Sequence, residues 1–260
     1  MRSITVCVDF ADLLALTVPQ NRHHFDEMWI VTAPHDQKTL HLCQHFRSLG
    51  FKVNTVVTDL FYRHGASFNK WAALEYGLDE MGRFGWLCIL DADTLWPSTL
   101  PHWRLDAGCL YTPYRRMLEH VSLPLPVESA WCQLPRHPQQ VEWAGYTQVF
   151  HASDPVLPRA PWHATNWRHA GGADSFFQAL WPQQRKLRPP FEVLHLGTSG
   201  VNWCGRATPY LTGDIDPAAP SRVNQLRQFI HGRRTSLPGT DRYRSEKLSE
   251  PAYTSPPDQA

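Results

Sequence analysis

The chain has 260 residues, of which 42% are apolar and 19% are charged, and its formal net charge is +1. This composition excludes a disordered chain, and the length suffices for one large α/β domain or two small ones. The near-neutral charge excludes a strong overall attraction to nucleic acid or membranes, although a local basic patch remains open.

The six cysteines, at positions 7, 43, 88, 109, 132 and 204, include no CxxC pair. Cys7 and Cys88 fall within predicted buried strands, where a thiol behaves as a small hydrophobic group. We therefore expect no disulfide framework, and a reducing compartment. Because no charged and apolar leader begins the chain and no run of 18 apolar residues occurs, we expect a cytoplasmic protein without integral membrane association.

Strands and helices alternate in the first 100 residues. Short apolar and β-branched runs predict four strands, over residues 3–8, 27–32, 51–58 and 86–90. Helices are predicted over 13–20, where Pro19 should end the helix, over 39–49, and from about Lys70 to Met81. Repeated strand–helix units favour a parallel, doubly wound sheet.

After Pro97 the sequence changes to short apolar segments interrupted by Pro and Trp. These segments predict three more strands and one helix, over residues 109–114, 144–150, 191–196 and 174–180. From residue 218 onward Pro, Ser, Arg and Thr dominate, which predicts a partly disordered tail over 218–260. Between Pro220 and Lys247 seven basic residues stand against two acidic ones, and both a solvated tail and contact with an anionic partner remain open.

The segment 86–97, WLCILDADTLWP, is an apolar strand that ends in two carboxylates, Asp91 and Asp93. Strand side chains alternate, so both carboxylates lean to one side while Ala92 points away. They stand at the carboxyl end of a strand, where open α/β sheets bind ligands. Two unpaired carboxylates repel, and a hard divalent cation neutralises them. We therefore predict a metal–nucleotide site; the alternative is a carboxylate pair that caps the next turn through Thr94.

Further landmarks follow this strand in a fixed order. Gly-Gly-x-Asp-x-x-Phe occupies residues 171–177, and His-Leu-Gly-x-x-x-x-Asn-Trp-x-Gly-Arg occupies 195–206. Together with the Lys-bearing helix and the Asp-x-Asp strand, this order resembles the GT-A-fold nucleotide-sugar glycosyltransferases over residues 3–206. The resemblance implies a Rossmann-like, mixed and mainly parallel sheet flanked by helices, in a domain over 1–217. Residues 1–100 would form its nucleotide-binding half and 101–217 its acceptor-side half.

The resemblance also implies a metal site. Asp93 would bind Mn²⁺ or Mg²⁺ directly, Asp91 would contact the ribose or the metal through water, and His195 would be a third ligand. The metal would bridge the two phosphates of a nucleotide sugar, expected to be a UDP-sugar, and stabilise the charge of the leaving diphosphate. For His195 the alternative is an ordinary hydrogen-bonded core histidine.

The last landmark implies a donor-binding loop. Asn202, Trp203 and Arg206 would sit over the diphosphate, and the Arg206 guanidinium suits phosphate because it is planar and permanently charged. Glycines at 197, 200 and 205 predict a loop that closes on the donor.

Asp174 corresponds in the resemblance to the catalytic base of inverting members, which deprotonates the acceptor hydroxyl. The alternative from the residues alone is an N-cap, because Asp174 precedes a helical stretch. Ala173 stands where the family often has a second carboxylate, so inverting and retaining chemistry both remain open.

Weaker candidates complete the site. Lys70, near a helix start, would attract phosphate or else lie exposed to solvent. Asp59, Asp9 and Phe10 are candidates for the base pocket. The arginine pair at 115–116 would line the acceptor side or serve the fold.

The sequence thus predicts a metal-dependent glycosyltransferase of hexosyltransferase type. Its acceptor would be the hydroxyl of a glycan or small molecule, or a hydroxymethylated base in DNA that is flipped out of the duplex. A nucleotidyltransferase that makes nucleotide sugars is the first alternative, although DFADLL after the first strand lacks the usual glycine-rich loop. A non-catalytic nucleotide- or sugar-binding protein is the second. The sugar, the nucleotide and the oligomeric state stay open.

Overall fold

The structure is a computed structural model, and it describes residues 1–137, 143, 145–198, 201–207 and 210–211. The predicted basic tail over 218–260 lies outside these residues, as do Ala144 of a predicted strand and residues 199–200 of the predicted donor loop. No helix in the described part of the chain has the length and apolar character needed to cross a membrane.

The described residues form ten strands and four α-helices. The strands are β1 (Arg2–Val6), β2 (Glu27–Thr32), β3 (Val53–Val57), β4 (Trp86–Leu90), β5 (Thr94–Leu95), β6 (Leu110–Tyr111), β7 (Tyr114–Leu118), β8 (Thr147–His151), β9 (Lys186–Leu187) and β10 (Glu192–Leu196). The helices are α1 (Ala11–Asn21), α2 (Gln37–Ser48), α3 (Lys70–Met81) and α4 (Ala173–Ala179).

Seven strands form the main sheet, in the order β3-β2-β1-β4-β8-β6-β9. β1 to β4 run parallel to one another, and β8 is antiparallel to both of its neighbours. The predicted mixed, mainly parallel sheet flanked by helices is therefore confirmed.

Helices cover both faces of the main sheet. One apolar cluster joins Cys88 and Leu90 of β4 to side chains of α1 and α2, and a second joins Leu87 and Ile89 to side chains of α3 and α4. Alternate residues of β4 thus face opposite helix layers, which explains why this strand is an unbroken apolar run. Its carboxyl end carries Asp91 to the edge of the sheet.

A second sheet has three strands in the order β5-β10-β7, with β10 antiparallel to β5 and parallel to β7. The sequence does not predict this sheet. The prediction of a single strand over 109–114 is wrong, because the chain there divides into β6 and β7, which belong to different sheets. Pro113 stands at the division, and a proline has no N–H to continue a ladder of hydrogen bonds.

Helix α1 does not end at Pro19, as predicted, but continues through Asn21. Tertiary hydrogen bonds stabilise its last turn: the Asn21 amide donates to the carbonyl of Thr94 (2.8 Å) and accepts from the N–H of Trp96 (2.8 Å). Thr17 donates to the carbonyl of Ala92 (2.9 Å). Because these partners follow Asp91 directly in sequence, α1 holds the segment that carries both carboxylates.

Candidate active site

A cavity of about 320 Å³ lies at the carboxyl end of β4, between the main sheet and the small sheet. Its wall combines residues from the ends of β1 and β4, from β7 and β10, and from the first turns of α3 and α4. Its titratable side chains are those of Lys70, Asp91, Asp93, Arg115, Tyr146, Asp174 and His195. The structure therefore brings residues from six separate elements to one place.

Lys70 and Asp91 form an ion pair inside this cavity, with Nζ 2.5 Å from Oδ1. Lys70 is the first residue of α3, and Asn69 caps that helix by accepting from the N–H of Ala72 (3.0 Å). The alternative of a solvent-exposed Lys70 is wrong, because its side chain is only 12% exposed. Burial opposes protonation of Lys70, but the Asp91 carboxylate outweighs it and raises the pKa of Lys70 above its ordinary value.

Asp93 faces His195, with Oδ2 of the carboxylate 3.6 Å from Nε2 of the imidazole. His195 Nδ1 lies 3.1 Å from the carbonyl oxygen of Gly197, which fixes the proton of a neutral ring on Nδ1. In a neutral ring Nε2 and Oδ2 are then two acceptors that face each other, and either a proton or a metal cation between them makes this contact favourable. The other carboxylate oxygen of Asp93, Oδ1, is buried and has no hydrogen-bond partner. Burial raises the pKa of Asp93.

Asp93 and His195 therefore suit a divalent cation, since carboxylate oxygen and imidazole nitrogen are ligands of Mn²⁺ and related ions. The expectation of a complete three-ligand set is not met: in the described residues no group of three or more His, Cys, Asp or Glu side chains surrounds one metal position. Asp91 instead pairs with Lys70. Two protein ligands are compatible with Mg²⁺-type sites, where substrate phosphates and water complete the coordination.

Asp174 lies in the first turn of α4, and its Oδ2 accepts the N–H of Gly145 (2.7 Å). The alternative of an N-cap is wrong, because that position belongs to Gly172, with φ of 100°. A Cβ atom on Gly145 would lie 2.6 Å from the Cβ of Asp174. Gly145 thus leaves the space that the Asp174 carboxylate occupies, and its position inside a predicted strand gives no sign of this role in the sequence.

The loop residues divide into two groups. Asn202 and Trp203 line the cavity; Trp203 packs on Gly171 and is about half exposed (53%). Arg206 is not part of the cavity wall. Its guanidinium makes two hydrogen bonds to the buried carboxylate of Asp12 (2.5 and 2.9 Å) and a third to the carbonyl of Asp9 (2.8 Å).

The structure does not bring the three base-pocket candidates together. Phe10 lines the cavity. Asp9 lies outside the wall, in a left-handed conformation (φ of 66°), and its N–H donates to Asp36 (2.7 Å). Asp59 is paired with Arg63 at the exposed end of β3 (2.7 Å) and does not line the cavity. Their roles at the base stay predictions.

No protein-family model and no curated protein matches this sequence. Several solved structures are similar. The apo structure of the bifunctional glycosyltransferase WbbM shares 11% identity over 60% of this chain, with a TM-score of 0.37, and the match spans 32% of that protein. The inositol-1-phosphate CTP transferase of T. maritima shares 9% identity, covering 88% of this chain and 95% of its own, with a TM-score of 0.41.

A nucleoside-diphosphate-sugar pyrophosphorylase from Vibrio cholerae RC9 shares 10% identity, covering 87% of this chain and 99% of its own, also with a TM-score of 0.41. Glycosyltransferases and nucleotidyltransferases thus both occur among the similar structures. TM-scores this low leave the relationships too distant to assign a function.

Proposed function

We propose that this chain is a metal-dependent glycosyltransferase that moves a sugar from a nucleotide sugar, expected to be a UDP-sugar, to an acceptor hydroxyl. One observation carries the proposal. A single cavity holds both the pair Asp93–His195, which suits a divalent cation, and a separate carboxylate, Asp174, which accepts a hydrogen bond from a backbone N–H. Transfer to a hydroxyl needs both a stabilised leaving group and a base.

Asp93 and His195 would hold the metal ion, which as a Lewis acid stabilises charge on the departing diphosphate. Lys70 neutralises Asp91, so that of these two neighbouring carboxylates only Asp93 is left for the cation. Asn202 and Trp203 line the same space and would contact the donor.

Asp174 would act as the base. It accepts the proton of the acceptor hydroxyl as the oxygen bonds to the anomeric carbon, and the bond from that carbon to the diphosphate breaks. The hydrogen bond from Gly145 fixes one oxygen of this carboxylate and leaves the other for the proton. A carboxylate oxygen that is left to accept a proton favours glycosyl transfer over nucleotidyl transfer. In nucleotidyl transfer the nucleophile is the phosphate of a sugar phosphate, which is already ionised and needs no base.

The leaving group distinguishes these two reactions. We would incubate the protein with UDP-, GDP- and TDP-sugars plus Mn²⁺ and, separately, with nucleoside triphosphates plus sugar phosphates. The proposal expects nucleoside diphosphate from the first set, lost in Asp174→Asn when an acceptor is present. Pyrophosphate from the second set would favour the nucleotidyltransferase. Binding without turnover in either set would favour a binding protein.

The acceptor is the second part of the proposal. A glycan or small hydroxyl compound is expected, and transfer of labelled sugar is compared between such acceptors and hydroxymethylated DNA. Label on DNA alone would contradict this acceptor class while leaving the glycosyltransferase proposal in place.

A further inference from the structure

Arg115 belongs to β7, the strand of the small sheet that pairs in parallel with β10. In this ladder Arg115 lies beside Val193, two residues before His195. Side chains alternate along β7, so that Arg115 faces the cavity while Arg116 pairs with Glu192 (2.5 Å) outside it. The small sheet thus brings Arg115 and His195 to the same cavity from neighbouring strands.

The Arg115 side chain is held in a defined position. The residue is only 8% exposed, and its guanidinium lies 4.5 Å from the ring centre of Tyr146. Tyr146 is itself buried, and its hydroxyl donates to the carbonyl of Pro113. A stacked guanidinium on an anchored ring loses little further freedom when it binds a ligand.

The charges of the cavity lining favour the binding of an anionic ligand once a divalent cation is bound. With all three carboxylates ionised, Asp91, Asp93 and Asp174 contribute three negative charges against two positive charges from Lys70 and Arg115. One divalent ion changes this balance from one net negative charge to one net positive charge. Burial lowers the pKa of Arg115, and Tyr146 and the three carboxylates offset only part of this lowering. An anion that binds together with the metal would therefore lie near the Arg115 guanidinium, which already lines the cavity.

We propose that Arg115 binds a phosphate oxygen of the leaving diphosphate, the role that the family resemblance implies for Arg206. This inference rests on the proposed function. Arg206 lies outside the cavity wall, where it binds buried Asp12, whereas Arg115 lines the cavity together with Asp93 and His195. A planar guanidinium binds phosphate through two parallel hydrogen bonds, and such charge-assisted bonds are about twice as strong as neutral ones.

The test measures binding of inorganic pyrophosphate, UDP and uridine in the presence of Mn²⁺ by calorimetry. Pyrophosphate carries the diphosphate without assuming which base the donor has. The variants are Arg115→Met, Arg115→Lys and, as the matched control on the outer face of the same strand, Arg116→Met. Thermal unfolding of each variant shows whether it is folded.

We expect Arg115→Met to weaken pyrophosphate and UDP binding by roughly tenfold to a hundredfold, the range of a lost charged hydrogen bond. Arg115→Lys should lose less of this affinity, and the affinities of Arg116→Met should stay within about twofold of those of the parent. The affinity for uridine should not change in any variant. Equal pyrophosphate binding by parent and Arg115→Met, or no pyrophosphate binding by the parent, would overturn the inference. An equal loss for uridine and UDP would also overturn it.

The inference and the proposed function fail in different ways. If pyrophosphate binding depends on Arg115 but no sugar nucleotide releases nucleoside diphosphate, the diphosphate site stands and glycosyl transfer is wrong. If nucleoside diphosphate is released and Arg115→Met keeps the parental KM for the donor, the function stands and the role of Arg115 is wrong.

Discussion

The Lys70 ammonium lies 2.5 Å from Oδ1 of Asp91, and this ion pair joins the first residue of α3 to the end of β4. It gives the two neighbouring carboxylates different partners. Asp91 is neutralised by a fixed cation, while Asp93 is left facing the imidazole of His195.

Lys70→Met should strengthen metal binding and slow turnover. Without the ammonium, Asp91 adds a second unpaired carboxylate to the cavity, so Mn²⁺ should bind several-fold more tightly in a spin-resonance titration. Turnover should nevertheless fall by about a hundredfold, because the uncompensated charge of Asp91 then repels the negative charge that develops on the departing diphosphate. Lys52→Met, at an exposed lysine, serves as the control. Weaker Mn²⁺ binding in Lys70→Met would contradict this account of the pair.

Gly145→Ala should displace Asp174, because the new Cβ would lie 2.6 Å from the Cβ of Asp174. A shift of about 1 Å in a positioned group can reduce the rate by about a hundredfold. We expect kcat to fall while the KM for the donor changes little. The double variant Gly145→Ala, Asp174→Asn should be no slower than Asp174→Asn alone, since both changes act on one group. Additive losses would show that Gly145 acts elsewhere.

Arg206→Met should destabilise the fold. The Arg206 and Asp12 side chains are 5% and 4% exposed, so removing the guanidinium leaves a buried carboxylate without its ion pair. The expected loss in the free energy of unfolding is about 3–5 kcal/mol in urea titrations. The double variant Asp12→Asn, Arg206→Met should recover part of this loss in the free energy of unfolding, because it buries no unpaired charge. If Arg206→Met has the stability of the parent but binds pyrophosphate more weakly, Arg206 and not only Arg115 contacts the diphosphate.

The stability of the fold should fall as the pH decreases from 7 to 5, in part through His163. This ring is buried between Trp71 and Phe177, and its Nδ1 lies 2.6 Å from the carboxylate of buried Glu75. Burial lowers the pKa of His163 below its ordinary value of 6.5, despite the opposing effect of Glu75. Below pH 6.5 the unfolded chain therefore takes up a proton that the folded chain does not, and the folded state loses up to about 1.4 kcal/mol per pH unit.

His163→Phe preserves the aromatic stack and removes the titrating group. Its free energy of unfolding should depend less steeply on pH between 7 and 5 than that of the parent, although its value at pH 7 is lower. His120→Phe, at an exposed histidine, is the matched control. A parental slope in His163→Phe would show that other groups carry the pH dependence.

Local patterns predict much of this fold. β2 and β4 have the predicted bounds because they are short apolar and β-branched runs, and α3 has the predicted bounds because its apolar residues recur with the period of a helix. The same logic places Asp91 at the carboxyl end of a buried strand. Pro19 does not end α1, because hydrogen bonds between the Asn21 side chain and distant backbone stabilise the helix beyond the proline.

The parts that were missed depend on contacts between segments far apart in sequence. β5 and β6 have two residues each, too few to show a period, and the small sheet that presents Arg115 exists only through pairing with β10. Arg206 suits phosphate by its chemistry, but Asp12, 194 residues away, already binds it. Side-chain type alone therefore does not decide which arginine lines the cavity; tertiary pairing does.

The proposed metal-dependent transfer depends on the carboxylate of Asp93. The measurement is the rate of nucleoside diphosphate release from the preferred sugar nucleotide as a function of Mn²⁺ concentration, for the parent, Asp93→Ala and the exposed control Asp106→Ala. We predict Mn²⁺-dependent release by the parent and by Asp106→Ala, and a loss of about a hundredfold or more in Asp93→Ala. Release by Asp93→Ala at the parental rate, with the parental dependence on Mn²⁺, would contradict the account.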